Sequence, residues 1–544
     1  MPNAIKRNHV LWIFALVALV WFGNLDYRKL VRPDEGRYAE ISREMVATGD
    51  WVTPRLNGIK YFEKPALQYW MTAAAYELFG EHQWTARLWS GLTGFLGILL
   101  TYLTGRRLFG AEAGFYSALV LASSVLYAVI GHINTLDMGV TFFMSLSLSG
   151  FLLAQASPLQ RKFWMHVAWA AMGFSILSKG LIGIVLPGAV LVLYTLWQRD
   201  WGIWKRIHLL TGILLMLMIS APWFIAVCRA NPEFFHFFFI HEHFERFLTK
   251  DHGRYHPWYY FVPILLAGML PWIAALFPAF FGSIKVKGNG REFQPGRFLF
   301  VWIAFIYFFF SISDSKLPSY ILPIFPALAL LIGNKLSEMD GRRLLWHFIP
   351  IAMIGAAGLV LSPEAVRFAD PIVPVALYRN YVPWLEAASA IALIGAIYAA
   401  YQGRLGKKPN AIIAMSLSML ICSQLILAGH NSLAPSNSAY YLAQKIKPYL
   451  KDDTPFYSVA MYEQTLPFYI KRTVTLVAYQ DEMAFGIAQE PAKWIPDIES
   501  FETLWKKQPY ALAIMTPQLY AQLENQLPMQ LIAQDTRRVV VKTP

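Results

Sequence analysis

The chain has 544 residues, 56% of them hydrophobic and only 15% charged, where a soluble domain carries roughly 25% charged residues; that composition excludes an ordinary water-soluble globule. The formal net charge of +13 does not indicate a nucleic-acid binder, because the basic residues fall in short clusters between apolar segments and form no stripe or recognition motif. Cys228 and Cys422 both sit inside apolar runs, which excludes a disulfide or cysteine–metal framework.

In chain order, Lys6 and Arg7 precede an apolar run over 10–22 that ends in Asn24, Leu25 and Asp26 without a small-residue cleavage site. The pattern predicts an uncleaved first span with a cytoplasmic N-terminus. About 13 apolar stretches of roughly 17 to 25 residues follow the same logic: each is long enough to cross a hydrocarbon core as a helix with its backbone bonded internally. After the first, they centre near Gly97, Leu119, Leu146, Ala170, Leu191, Leu214, Leu266, Phe305, Ala327, Ile354, Leu393 and Leu420.

Every second connection is basic: Arg106 and Arg107, Arg161 and Lys162, Arg199 with Lys205 and Arg206, 285–297, Arg342 and Arg343, and 404–408. Those loops are cytoplasmic by the positive-inside rule. The opposite, periplasmic side receives 26–84, the turns at Asp137 and Lys179, 229–258, the 313–319 turn and everything after His430. The membrane part is therefore 1–430. Over 431–544 the apolar runs are too short to span and alternate as strands (455–461, 474–479, 510–515, 538–542) and helices (440–450, 499–507), a small periplasmic α/β domain. It holds no phosphate loop, metal cluster or nucleophile elbow, so packing or docking is expected of it. No transporter-type internal repeat is present.

The chemistry is expected in the first outer loop, with Arg32-Pro33-Asp34-Glu35-Gly36-Arg37-Tyr38 and Tyr61-Phe62-Glu63-Lys64-Pro65. Pro33 followed by two acids is a sound helix start, and for Glu35 that reading is sufficient. Asp34 shares a helix face with Arg37 and Tyr38, so the face offers either a guanidinium fork for phosphate beside a carboxylate or an ordinary surface ion pair. Asp137 and Lys179 stand at the outer ends of spans, where an ionisable group is costly unless used or paired; a helix cap and a snorkelling lysine are their bland alternatives. The phenylalanine run 234–239 suits the lipid interface. The His241, Glu242, His243 cluster offers zinc ligands together with Glu63, but without the spacing of a zinc-protease motif. Arg254 and the Lys316-to-Tyr320 segment add cations and tyrosines at the same boundary. Charges gathered at one face, with the midplane nearly bare, fit an enzyme acting on lipid-linked substrates; a transporter would line a route through the bilayer.

The segments Arg32-Pro-Asp-Glu-Gly-Arg-Tyr-Ala-Glu-Ile-Ser-Arg-Glu-Met45, Gly49-Asp-Trp51, Tyr61-Phe-Glu-Lys-Pro65, Ser178-Lys-Gly180, Glu242-His243 with Arg246-Phe247, Trp258-Tyr-Tyr260 and Lys316-Leu-Pro-Ser-Tyr-Ile-Leu322 closely resemble the bacterial 4-amino-4-deoxy-L-arabinose lipid A transferases, membrane glycosyltransferases of the C type (GT-C fold). The likeness covers nearly all of the membrane part and fades after it. It implies a polytopic α-helical membrane protein with about 13 spans and a periplasmic α/β domain. It also implies inverting transfer of aminoarabinose from undecaprenyl phosphate to a lipid A phosphate at the periplasmic face of the bacterial inner membrane, with resistance to polymyxin as the outcome. By that likeness Asp34 and Asp137 are the catalytic carboxylates, and Arg37, Lys64, Lys179, Arg254 and Lys316 hold phosphates. Tyr38, Tyr61 and Tyr320 shape the sugar and carrier cavity, while Glu63 and His243 share a structural zinc if a metal is present; no cofactor is required. Two departures are Gly36, where related sequences include Thr, and Asp314-Ser315, where they have a neutral residue before the Lys-Leu-Pro motif. Protein O-mannosyltransferases, which also carry an acidic pair in the first outer loop, are the alternative enzyme; a lipid-linked sugar flippase is the alternative without chemistry.

Overall fold

A computed structural model describes residues 7–245, 256–285 and 292–544, without the side chains of 7 and 242–245. The membrane part opens with helices α1 (Arg7–Phe22), α2 (Asp34–Thr48), α3 (Leu67–Phe79), α4 (Gln83–Phe109), α5 (Ala111–Ser123), α6 (Val125–Ile130), α7 (Leu136–Ala156), α8 (Arg161–Lys179), α9 (Ile182–Gln198), α10 (Ile203–Arg206) and α11 (Leu209–Ala230). A two-stranded ribbon of β1 (Arg55–Leu56) and β2 (Ile59–Lys60) lies between α2 and α3.

Among the described residues eight helices are long and apolar enough to cross a membrane, and the pair Phe261–Gly268 and Ile273–Gly282, bent by 109°, makes a ninth. Every expected centre lies on a helix, but that near Leu119 falls on the broken pair α5–α6, α1 and α9 are shorter than a full span, and α8, which holds the centre near Ala170, is not among the nine. The windows in α7 and in 318–338 are 89% and 83% buried by the protein itself, whereas those in α11, 341–368 and 375–404 are 28% buried. The first two are therefore the centre of the bundle, and the others present apolar side chains outward, as lipid-facing helices must.

The last long helix, Lys408–Gly429, leads into a six-stranded sheet of order β5-β4-β3-β6-β8-β7. Its strands are β3 (Phe456–Val459), β4 (Thr475–Val477), β5 (Trp494–Ile495), β6 (Leu512–Met515), β7 (Gln530–Gln534) and β8 (Val539–Lys542). β5, β4, β3 and β6 run parallel, with Tyr457 opposite both Thr475 and Ala513; β8 pairs antiparallel with β6 and β7. β3 and β6 are buried at every position, the pattern of strands covered on both faces. The four expected strands correspond to β3, β4, β6 and β8. β5 is two residues long and β7 is a mostly exposed edge, so neither carries the apolar run that would announce it.

This sheet shares a core with the first outer loop. Leu30, Tyr38, Ile41 and Tyr69 pack in one cluster with Leu442, Ile446, Leu512 and Val540. The contact is also bonded: the Leu30 amide donates to Tyr469 Oη at 2.8 Å, the Arg32 amide to the Asn437 carbonyl at 3.0 Å, and Asn57 exchanges two hydrogen bonds with the Val474 backbone. The helix α2 is polar yet buried from Glu35 to Met45, as befits a helix bridging two layers. Gly36 makes the approach possible, since a Cβ there would meet the Gln464 carbonyl at 2.7 Å.

Candidate functional site

Two neighbouring carboxylates at the start of α2 have opposite surroundings. Glu35 points inward and receives Arg28 through two bonds of 3.0 and 3.1 Å and Arg87 through two of 2.7 and 2.9 Å. It also accepts the amides of Val31 and Asn134 at 3.0 and 3.1 Å. Burial pushes its carboxyl up, but Arg28 and Arg87 outweigh that and hold it down at about 2. Glu35 is thus far more than a helix start: it ties the first loop to α4 and to the turn before α7, which carries Asp137.

Asp34 points the other way, with its side chain 43% exposed, and pairs with Arg37 Nη1 at 3.3 Å. Arg37 Nη2 lies 2.5 Å from Glu482 Oε2 as an ion pair. Glu482 comes from the C-terminal domain, held by Gln464 Nε2 at 3.0 Å, so the domain supplies charge as well as packing. Burial raises the Glu482 carboxyl above its ordinary range, and Arg37 opposes that only in part. Asp481 before it has φ +35° and Ala460 across the cavity φ +52°, both left-handed without glycine; such strain collects at functional sites.

On the other flank, Lys179 at the end of α8 forms an ion pair with Asp137 in the first turn of α7. Neither the cap nor the snorkelling alternative describes them. Lys179 Nζ also lies 4.8 Å from the centre of the Tyr320 ring. Two sets of ion pairs thus stand at this boundary: Asp137 with Lys179 between membrane helices, and Asp34 with Arg37 and Glu482 between α2 and the C-terminal domain.

The tyrosines complete this centre. Tyr38 lies 6.0 Å from Tyr69 ring to ring, and the Arg37 guanidinium is 6.0 Å from the Tyr61 ring. Burial, reinforced by Glu63, keeps the Tyr61 and Tyr69 phenols protonated, well above their ordinary range. Tyr61 Oη, Tyr69 Oη and Arg37 Nε are buried without a hydrogen-bond partner among the described residues. Leaving such groups unpaired is expensive, so this centre has hydrogen-bonding capacity that the described residues do not use. Beside them opens a cavity of about 980 Å³ lined by Arg32, Arg37, Glu63, Tyr462, Glu482 and Arg537 among others.

Lys64 Nζ donates to the Glu63 carbonyl at 2.7 Å and stands 3.9 Å from its carboxylate. Lys316 Nζ donates to the carbonyls of His256, at 2.7 Å, and Ser313, so one N–H binds the turn that leads to Tyr320 and another ties that turn to the segment before Phe261. Arg254 and the side chain of His243 lie outside the described residues. Among the described residues no three His, Cys, Asp or Glu side chains converge as metal ligands; Glu63 and His241 only line the same cavity. Phe234 and Phe238 are buried, in a cluster with Phe62 and Trp223, while Phe235 is exposed, so the run 234–239 is only in part a lipid-facing surface. Glu482 and Tyr69 were not legible as site residues. Tyr69 sits four residues after Pro65 in an aromatic stretch of the motif loop, which is a weak signal; Glu482, in an unremarked turn, has none.

Known proteins resemble this chain along its whole length. Residues 442–543 match a family model described as the aminoarabinose transferase C-terminal domain, and 63–225 match one described as dolichyl-phosphate-mannose-protein mannosyltransferase. An undecaprenyl phosphate-alpha-4-amino-4-deoxy-L-arabinose arabinosyl transferase of Pseudomonas fluorescens is 35% identical over 60% of this chain, a match that spans 57% of that relative's length. The transferase of that name from Edwardsiella ictaluri is 31% identical over 75% of each chain. The crystal structure of ArnT from Cupriavidus metallidurans bound to undecaprenyl phosphate superposes with a TM-score of 0.94, at 42% identity and 98% coverage of both chains.

Proposed function

This chain belongs to the undecaprenyl phosphate-aminoarabinose arabinosyl transferases, and from that premise we propose that it is a pentosyltransferase moving 4-amino-4-deoxy-L-arabinose from undecaprenyl phosphate to a phosphate of lipid A. The reaction takes place at the periplasmic face of the inner membrane, where masking lipid A charge confers resistance to polymyxin and other cationic peptides. The observation that carries this reading is the set of buried, unpartnered donors, Tyr61 Oη, Tyr69 Oη and Arg37 Nε, gathered next to Asp34 beside a wide polar cavity.

A phosphate acceptor is anionic at neutral pH, so it needs alignment and desolvation more than a strong base. One of its oxygens attacks the anomeric carbon, the bond to undecaprenyl phosphate breaks on the opposite side, and the centre inverts. Arg37, Lys64 and the tyrosine hydroxyls stabilise charge on the leaving phosphate. Asp34 stabilises the oxocarbenium-like sugar or grips its amino group, while Asp137 holds Lys179 toward the phosphates. No step draws on a cofactor.

The test uses detergent-purified protein with carrier-linked sugar and lipid A, read by mass spectrometry. Lipid A heavier by one or two aminoarabinose units is expected without any sealed vesicle, which a flippase would need; unmodified lipid A would overturn the reading. The match over 63–225 favours one second reading, a protein acceptor. A hydroxyl acceptor needs a general base, and modified proteins with unmodified lipid A would decide for it.

A further inference from the structure

At the end of the bundle away from Asp34 and Asp137 lies a second cavity, of about 400 Å³, with Phe151 of α7, Trp169 of α8, Pro187 and Gly188 of α9, Trp204 of α10 and Met216 of α11 on its walls. The sequence creates it. Pro187 sits inside α9, where it lacks the N–H for a helix hydrogen bond, and Gly188 beside it has no side chain: a Cβ there would meet nothing within 4 Å. Protein interiors are close-packed and do not keep an apolar void of this size. Val192 and Leu209, both exposed, stand at its mouth, so it opens between α9 and α11 toward the apolar surroundings of the bundle.

Two polar observations say what fills it. The walls are apolar apart from the Ser147 hydroxyl and two indole N–H groups: Trp169 Nε1 donates to the Ile207 carbonyl, while Trp204 Nε1 is buried without a hydrogen-bond partner among the described residues. The connections flanking these helices are basic: among the described residues Arg161, Lys162, Arg199, Lys205, Arg206 and Arg297 outnumber Asp200 and Glu292, and Asp200 is already paired with Arg206. Arg161 shares a face of α8 with Met165, a wall residue, and its Nε too is buried without a partner. Basic pockets between helices on the positive side of a membrane protein recognise anionic head groups. We infer that this cavity is a binding site for an anionic glycerophospholipid, one acyl chain lying between α9 and α11, a glyceryl ester or phosphate oxygen accepting from Trp204 Nε1, and the head group facing Arg161 and Lys205. The site is separate from the polar centre and does not depend on the transfer reaction.

Native mass spectrometry of the full chain in detergent, supplied with phosphatidylglycerol or with phosphatidylcholine of equal chain length, tests it. Phosphatidylglycerol is expected to remain bound where phosphatidylcholine is lost. Gly188→Trp, which fills the cavity, is expected to abolish retention, and Trp204→Phe, which keeps the ring and removes the donor, to weaken it about fivefold. If Gly188→Trp does not fold, Trp204→Phe combined with Lys205→Gln carries the test. Equal retention of the two lipids, or retention unchanged in the folded variants, overturns the assignment. So does displacement of phosphatidylglycerol by equimolar undecaprenyl phosphate, which would make the cavity part of a carrier-tail path.

Discussion

Glu35 and Asp34 are adjacent in sequence, acidic, and in the first turn of one helix, yet they belong to different kinds of region. Around Glu35 every lone pair is used: two guanidiniums and two backbone amides converge on one buried carboxylate. Around Asp34 the polar groups are in excess of their partners, with Arg37 Nε and two phenol oxygens left over. A saturated network holds a fold, and an unsaturated one is held by the fold for something else. The pairing state, more than the presence of charge, distinguishes the two carboxylates.

The largest effect should come from breaking the saturated side. Glu35→Gln leaves Arg28 and Arg87 buried with less than their charge balanced, which should cost about 3–5 kcal/mol; thermal unfolding in detergent measures it, and an unchanged melting temperature would show that the knot is not structural. Asp34→Asn should do the reverse, lowering sugar transfer about 100-fold or more while melting stays put. Near-normal modification of lipid A by that variant would remove Asp34 from the mechanism.

Glu482→Gln sharpens the boundary between the regions. It loosens Arg37 without opening a cavity, so transfer should fall about tenfold with little change in melting; a variant as active as the parent would make the Arg37 contact incidental. Acidification should separate the two carboxylates as well. The Glu35 carboxyl falls from an ordinary 4.5 to about 2 in the fold, so its stabilisation is complete above about 4.5 and is lost only as pH drops toward 2. Glu482 is raised: it takes up a proton more readily folded than unfolded, so its protonation does not loosen the fold but removes the Arg37 contact. Activity should therefore decline at a higher pH than stability does, and the Gln variant should lose that part of the profile. The smallest effect is expected of Tyr61→Phe. Deleting an unpartnered hydroxyl should leave stability level or slightly improved and reduce transfer about fivefold; a loss of stability instead would mean the hydroxyl was bonded in the fold.

The membrane helices and most of the sheet were legible because apolar length and alternation are local properties. The first loop was legible as a site because its motif is dense in ionisable residues and resembles a family. Asp137 and Lys179 stood out singly, each at the outer end of a span, but nothing in the spacing of residues 42 apart says that they pair. Glu35 was under-read, since a helix start explains an acid at that position without reference to Arg87, 52 residues away.

The sequence by itself marked the apolar segments, the basic connections between them and a first loop dense in ionisable residues, since hydropathy, charge asymmetry and helix starts act over a few residues. Only the tertiary structure decided that the C-terminal domain completes that loop. Glu482 reaches Arg37 because the sheet shares one core with α2 and packs against it where Gly36 lacks a side chain. Such a contact depends on packing between segments more than 400 residues apart, and no local pattern encodes it.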